Sequence, residues 1–179
     1  MSYKKKIYLK KLDYHHIDEG WLKWINSKRA FKSLSTTKRK TIKKDLINFI
    51  KLSNQKGNKI FAVYDYNTKI YIGNVSLTEI DYDNKHCKYG RFLGNEKFFN
   101  KNYGQFMLYE IFKYAYYKIK LNKCYTHVFE DNLQSINSNL KFGMKKEGIL
   151  RNNVFRNKKF KNVVVFSMLK KEFERKYER

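Results

Sequence analysis

The spacing of apolar residues changes period several times along this chain, and the order of those changes most constrains its fold. Ile7-Tyr8-Leu9 reads as a short strand. Ile17, Trp21, Trp24 and Ile25 recur at helical spacing over about 15–27, and Ile42, Leu46, Phe49 and Ile50 share one face of a second helix over about 41–54. The period then drops to that of a strand at 59–65 (KIFAVYD), with Asn67-Thr68 as a turn. The next strand begins with Ile70 and Ile72 inward and shifts to Val75 and Leu77; Gly73 at the shift predicts a β-bulge. A further strand spans about 86–93.

Residues 104–120 read as the longest helix, its buried stripe made of Leu108, Ile111, Phe112, Ala115 and Ile119. Tyr125 to Phe129 is a strand. Asp131 or Asn132 caps a helix carrying Leu133, Ile136 and Leu140, which Gly143 ends. Two strands close the chain, around 144–151 and 161–169; Val163-Val164-Val165-Phe166 is apolar on both faces and therefore central. This order predicts a mixed α/β (α+β) fold, a mostly antiparallel central sheet flanked by helices.

No repeat, linker or composition break divides the 179 residues, so a single domain over 1–179 is expected. With 42% hydrophobic and 17% aromatic residues, the chain is too apolar to stay disordered. No apolar run reaches the roughly 18–20 residues that cross a bilayer. The basic opening MSYKKKIYLKKL is followed by no apolar stretch or cleavage site. Cys87 and Cys124 lack metal-type spacing, which points to a reduced, cytoplasmic protein.

The net charge of +24 raises the question of nucleic acid. Lys far outnumbers Arg, and Pro is absent where roughly nine would be average. That is the composition of an AT-rich genome. The Lys pairs are scattered from Lys4–Lys6 to Lys170–Lys171 rather than gathered in an arm, which argues against nucleic acid as the partner. Such a field still attracts anionic small molecules.

The element order, together with the stretches YIGNVSLTEIDYDNKHCKYGRFLG and NKNYGQFMLYEIFKYAYYKIKLNKCYTHVFEDNLQSINSNLKFGMKKEG, resembles the GNAT superfamily of N-acetyltransferases, in the branch of ribosomal-protein and amino-sugar enzymes. The resemblance implies acetyl-CoA as cosubstrate. The family's pyrophosphate motif (Arg or Gln, two residues, Gly, one residue, Gly or Ala) falls on Phe99, Asn102 and Gly104, of which only Gly104 matches strictly. The physical need is for backbone N–H groups at a helix N-terminus. Asn102 tolerates the left-handed backbone this requires, Lys101 adds charge, and Tyr103 and Gln105 complete the expected loop.

The resemblance further implies that the pantetheine arm lies between two splayed strands, ending near Leu93 and Phe129. Backbone groups of Phe92, Leu93 and Gly94 would bond the arm, and one N–H would polarise the thioester carbonyl. The acceptor amine would attack directly. In many relatives a Tyr protonates the departing thiolate. Its position is Asn139 here, an amide that can hydrogen-bond sulfur but not give up a proton, so solvent or a nearby Tyr must serve. A Glu frequently used as base aligns with Lys88, leaving Glu79, Asp81 and His86 as candidates. His127 reads as a core histidine. Asn132 is expected to cap its helix and lie close to the cofactor. His15-His16 and His86-Cys87 lack ligand spacing, so no metal is expected.

The leading acceptor is a nucleotide-linked amino sugar in bacterial surface-glycan biosynthesis. The alternatives are a protein N-terminus and, from another class, a non-catalytic basic module that binds nucleic acid or the ribosome. A homodimer is compatible with all of these.

Overall fold

The computed structural model describes residues 6–33, 39–156 and 158–178; Lys4 and Lys5 of the basic opening lie outside them. In chain order the elements are β1 (Ile7–Lys11), α1 in two pieces (Ile17–Trp21 and Leu22–Ile25), α2 (Lys28–Ser33), α3 (Lys43–Gln55), β2 (Lys59–Asp65), β3 (Tyr71–Asp81) and β4 (His86–Leu93). There follow α4 (Tyr103–Lys113, continued by a wider turn at Tyr114–Lys118), β5 (Lys123–Phe129), α5 (Leu133–Phe142), β6 (Lys145–Arg156), β7 (Lys159–Leu169) and α6 (Lys170–Tyr177). The strands form one seven-stranded sheet in the order β1-β2-β3-β4-β5-β7-β6, antiparallel throughout except between β4 and β5. This is the mixed, mostly antiparallel sheet that the change of period predicts. No helix among the described residues is long and apolar enough to cross a membrane.

Two apolar clusters cover the sheet. Met107, Leu108, Ile111, Phe112 and Ala115 of α4 pack against Val75, Leu77, Cys87, Tyr89, Cys124 and Val164 on one face. On the other face α1 and α3 cover β1–β3, through Ile17, Trp21, Leu46 and Ile50 against Ala62, Tyr64 and Tyr71, and reach the Phe92 end of β4. That cluster leaves out the opposite face of β5, β7 and β6.

The expected bulge is present: Val63 pairs with Gly73 and Tyr64 with Tyr71, leaving Ile72 as the extra residue. Because of it, Ile72 and Val75, three residues apart, face the same cluster, with Tyr71 in the other; Ile70 stays in the turn at 42% exposure instead of pointing inward. Gly73 is required for another reason: a Cβ there would meet the Phe92 carbonyl oxygen of β4 at 2.1 Å.

Other expectations shift. Leu133 and Leu140 are 64% and 50% exposed, and the buried side of α5 is Ile136, Asn139 and Phe142. The apolar stripe misleads here because a polar residue, Asn139, takes the core-facing position. Ile42 and Phe49 lie at the exposed rim of α3. Helices α2 and α6 carry too few apolar residues to stand out in the sequence; α6 buries little more than Phe173. β6 runs on to Arg156, beyond the expected end at 151, because its later residues pair with β7 as far as Arg156 with Lys159.

Gly73→Ala should therefore force β3 and β4 apart and lower stability by about 3 kcal/mol, the upper end for overpacking. Gly148→Ala, with nothing within 4 Å of its Cβ, should be nearly neutral in the same urea denaturation experiment.

Candidate active site

β4 and β5 pair for three residues only: His86 with Lys123, Cys87 with Cys124 and Lys88 with Tyr125. Beyond Lys88 and Tyr125 the strands part, while β4 stays bonded to β3 as far as Leu93 and β5 to β7 as far as Phe129. The sheet is thus forked at its centre, and the open edges of both strands carry backbone groups without a strand partner.

Which groups of β4 face the fork follows from the ladder. The Gly94 N–H donates to the Ile72 carbonyl of β3 at 2.9 Å. By the two-residue alternation of an antiparallel pair, Phe92 turns the same way, and the backbones of Arg91 and Leu93 face the fork. Of Phe92, Leu93 and Gly94, only Leu93 therefore offers backbone to a ligand there. Arg91, missed in the sequence, joins it because the side-chain pattern of a strand does not reveal which way its amides point.

At the mouth of the fork α4 and α5 present their N-termini, whose first N–H groups have no intrahelical partner. Asn102, just before α4, is left-handed (φ 62°, ψ 8°), as the loop requires, and Asn100 is too (φ 60°). Phe99 replaces the Arg or Gln of the motif, yet the Arg29 guanidinium of α2 lies over its ring, 3.6 Å from the centroid. A cation from another helix thus stands beside the loop. Lys141 reaches the Asn102 amide oxygen at 3.5 Å, and Lys101 stands exposed beside it. Asn132 caps α5 by accepting from the Ser135 N–H.

Two expected loop contacts are instead structural. The Gln105 amide bonds the Ser138 carbonyl and hydroxyl of α5, each at 2.9 Å, and the Tyr103 hydroxyl donates to Asp65 of β2. Both side chains point away from the loop because they hold α4 to its neighbours. Gly104 turns its carbonyl to the Arg91 guanidinium at 2.7 Å, and Arg91 also reaches the Ser138 hydroxyl at 3.1 Å, so β4, α4 and α5 meet on one side chain.

On the α4 face of the fork, the buried Tyr89 hydroxyl donates to the Asn139 amide oxygen at 2.6 Å. Burial pushes the Tyr89 pKa up to about 12. On the opposite face, a cavity of about 320 Å³ is lined by His86, Lys123, Tyr125, His127, Glu147 and Val165.

The sequence candidates for a base fare unequally here. Glu79, at a left-handed position (φ 51°), points toward the fork, but Lys88 holds one of its oxygens at 2.9 Å and the Tyr125 hydroxyl the other at 2.8 Å. The Lys88 bond lowers its pKa, so it is an engaged carboxylate rather than a free base. Asp81 closes the β3–β4 turn by accepting from the Asn84 backbone and side-chain amides at 2.7 and 2.9 Å, at the closed end of the fork. His86 lines the cavity below the fork, its Nε2 3.9 Å from Asp81. His127, read from sequence as a core residue, is half-exposed on the cavity wall, because odd-numbered residues of β5 face away from α4.

The argument against a metal from His15-His16 spacing overlooks Glu19, whose carboxylate lies with both rings within a 4.8 Å cluster. Both His16 ring nitrogens already have partners: Nδ1 the Asp13 backbone and Nε2 the Tyr64 hydroxyl, each at 3.0 Å.

A mostly antiparallel sheet forked between its one parallel pair, with two helix N-termini at the mouth, defines a protein that grips an extended anionic ligand edge-on. The family model "Acetyltransferase (GNAT) domain" matches residues 6–145, and the chain belongs to that family. It is an N-acetyltransferase that uses acetyl-CoA. No curated protein matches it in sequence. Among solved structures it is similar to the spermidine N-acetyltransferase of Vibrio cholerae in complex with CoA and spermine, at 18% identity and TM-score 0.85 over 95% of this chain and 99% of that one. It is also similar to a Vibrio cholerae protein described as a ribosomal-protein-serine acetyltransferase, at 16% identity and TM-score 0.74 over 93% and 95%.

If the Asn102 loop holds the pyrophosphate, Asn102→Asp should fold normally but lose most of the melting-temperature rise that acetyl-CoA gives the wild type. Saturating ligand adds about 2.7 kcal/mol at a hundred times its dissociation constant, so the difference is readable by thermal shift.

Proposed function

We propose that the acceptor is a small amine carried on an anionic molecule, a nucleotide-linked amino sugar of the kind used in surface-glycan synthesis. The observation that carries this is the charge around the acceptor-side cavity. Its two neighbouring carboxylates, Glu79 and Glu147, are already paired with Lys88 at 2.9 Å and Lys123 at 3.1 Å. A polyamine bearing several positive charges would find no unpaired carboxylate there and would meet a chain of net charge +24. A phosphate-bearing acceptor is attracted by the same field. Tyr125 and His127 offer flat faces against which a sugar or a base can pack.

In this reading acetyl-CoA supplies an activated thioester. Arg29, Lys101, Lys141 and the N-terminus of α4 hold its phosphates, and the Arg91 and Leu93 backbone lines its arm. One of those N–H groups meets the charge that develops on the carbonyl oxygen. Tyr89 donates its hydroxyl proton to the Asn139 amide oxygen, and burial raises its pKa, which makes it a poor donor to a thiolate. It fixes the Asn139 amide by taking its oxygen, so that the amide N–H₂ can hydrogen-bond the sulfur while solvent supplies the proton.

Free coenzyme A should appear when the protein is given acetyl-CoA and a nucleotide-linked 4-amino sugar, and should not appear with spermidine. Release with spermidine alone, or with N-terminal peptides alone, would replace this acceptor with the other.

A further inference from the structure

We propose that His127 is the general base, taking the proton of the acceptor amine as it attacks the acetyl group. The inference rests on the family's acetyl transfer and on the thioester lying in the β4–β5 fork. His127 stands two residues beyond Tyr125, the last β5 residue paired with β4, and is thus the first cavity-facing side chain on the open edge of β5. A carbonyl held by the Arg91 or Leu93 backbone is approached from the α4 face or from this one. The α4 face is packed with Tyr89, Met107, Leu108 and Phe112, so a solvent-borne amine must come through the 320 Å³ cavity.

The other proton-accepting groups around the cavity are engaged or too far down the fork. Glu79 of β3 is held by Lys88 and Tyr125. Glu147 of β6 is held by Lys123 and the Ser167 hydroxyl. His86 of β4 pairs with Lys123, two residues below the last β4–β5 pair. Burial and the nearby Lys88 charge lower the His127 pKa, and Glu79 opposes them more weakly. The imidazole is therefore neutral at pH 7, with a lone pair to offer. Lys88, an unsuitable base where relatives have Glu, keeps its neighbour in the proton-free state.

The step balances. The amine lone pair attacks the carbonyl carbon, a C–N bond forms, and the C–S bond breaks with its electron pair on sulfur. The amine proton moves to His127, and the thiolate takes a proton from solvent.

The test uses bromoacetyl-CoA, whose bromine-bearing carbon is electrophilic and lies one bond from the carbonyl carbon that the acceptor nitrogen attacks. His127 should displace its bromide, and peptide mass spectrometry should find the CoA-bearing label on His127. His127→Gln should still show the thermal shift with acetyl-CoA while losing the label. The same variant should hydrolyse acetyl-CoA, with water in place of the amine, at least 100-fold more slowly near neutrality, the low end for general base catalysis. Wild-type hydrolysis should fall as pH drops through the lowered histidine pKa, below about 6.5, where the ring takes up its proton; the variant should lose that limb. Labelling of Lys88, Tyr125 or His86 instead, or an unchanged acid limb in His127→Gln, would overturn the assignment. No thermal shift and no label in the wild type would show that the fork does not hold the thioester, and the inference would fall with that reading.

Discussion

Three residues of parallel pairing hold the centre of this molecule together, and the site depends on where that pairing stops. Up to Lys88 and Tyr125 the sheet is continuous, with Cys87 and Cys124 in contact across it, their sulfurs 3.7 Å apart and both free thiols. Past that point β4 is bound only to β3 and β5 only to β7. Unpaired backbone donors and acceptors are costly to leave without a partner, so an open edge inside a sheet must be held apart by the packing on either side. Here α4 sits against both strands, and Arg91 reaches from β4 to α4 and α5. The geometry that strands a row of amides also brings two helix N-termini to the same mouth, since α4 follows β4 after a nine-residue connection and α5 follows β5 after three residues.

Around this frame, several departures from the family pattern are offset from elsewhere in the chain. Phe99 stands where the motif has Arg or Gln, and the Arg29 guanidinium of α2 lies across its ring. Asn102 replaces a glycine and adopts the left-handed backbone that glycine would. Asn139 replaces a tyrosine, and Tyr89, from the facing strand, brings a hydroxyl to the same spot. Lys88 occupies the place of a carboxylate, and Glu79 meets it from the β3–β4 bulge. At Phe99 and Asn139 the group brought to the same spot comes from a residue distant in sequence.

The two faces of the fork differ in kind. The α4 face is apolar and closed, suited to excluding water from a thioester. The other is open, aromatic and charged, because α1 and α3 reach no further than the Phe92 end of β4. That uncovered half of the sheet is where a second substrate can enter, and its paired carboxylates leave the surrounding field positive.

The sequence by itself determined the order of the elements. Period-2 and period-3.6 runs report which face of a segment is buried, and that information is local. It located β1 to β5, α4, the bulge near Gly73, the Asn132 cap and the Gly143 stop, and through the motif it located the Asn102 loop. Only the tertiary structure decided which polar groups remain available for chemistry. Glu79, Asp81, Tyr103 and Gln105 all look available in a linear reading, and each is engaged by a partner remote in sequence or by a turn. His127 looks like a core residue and lies on a cavity wall. The direction of each backbone amide, and therefore the exchange of Phe92 and Gly94 for Arg91, depends on which neighbour a strand bonds. Local spacing cannot carry such facts, because hydrogen-bond partners and burial are set by residues that meet only after the chain has folded.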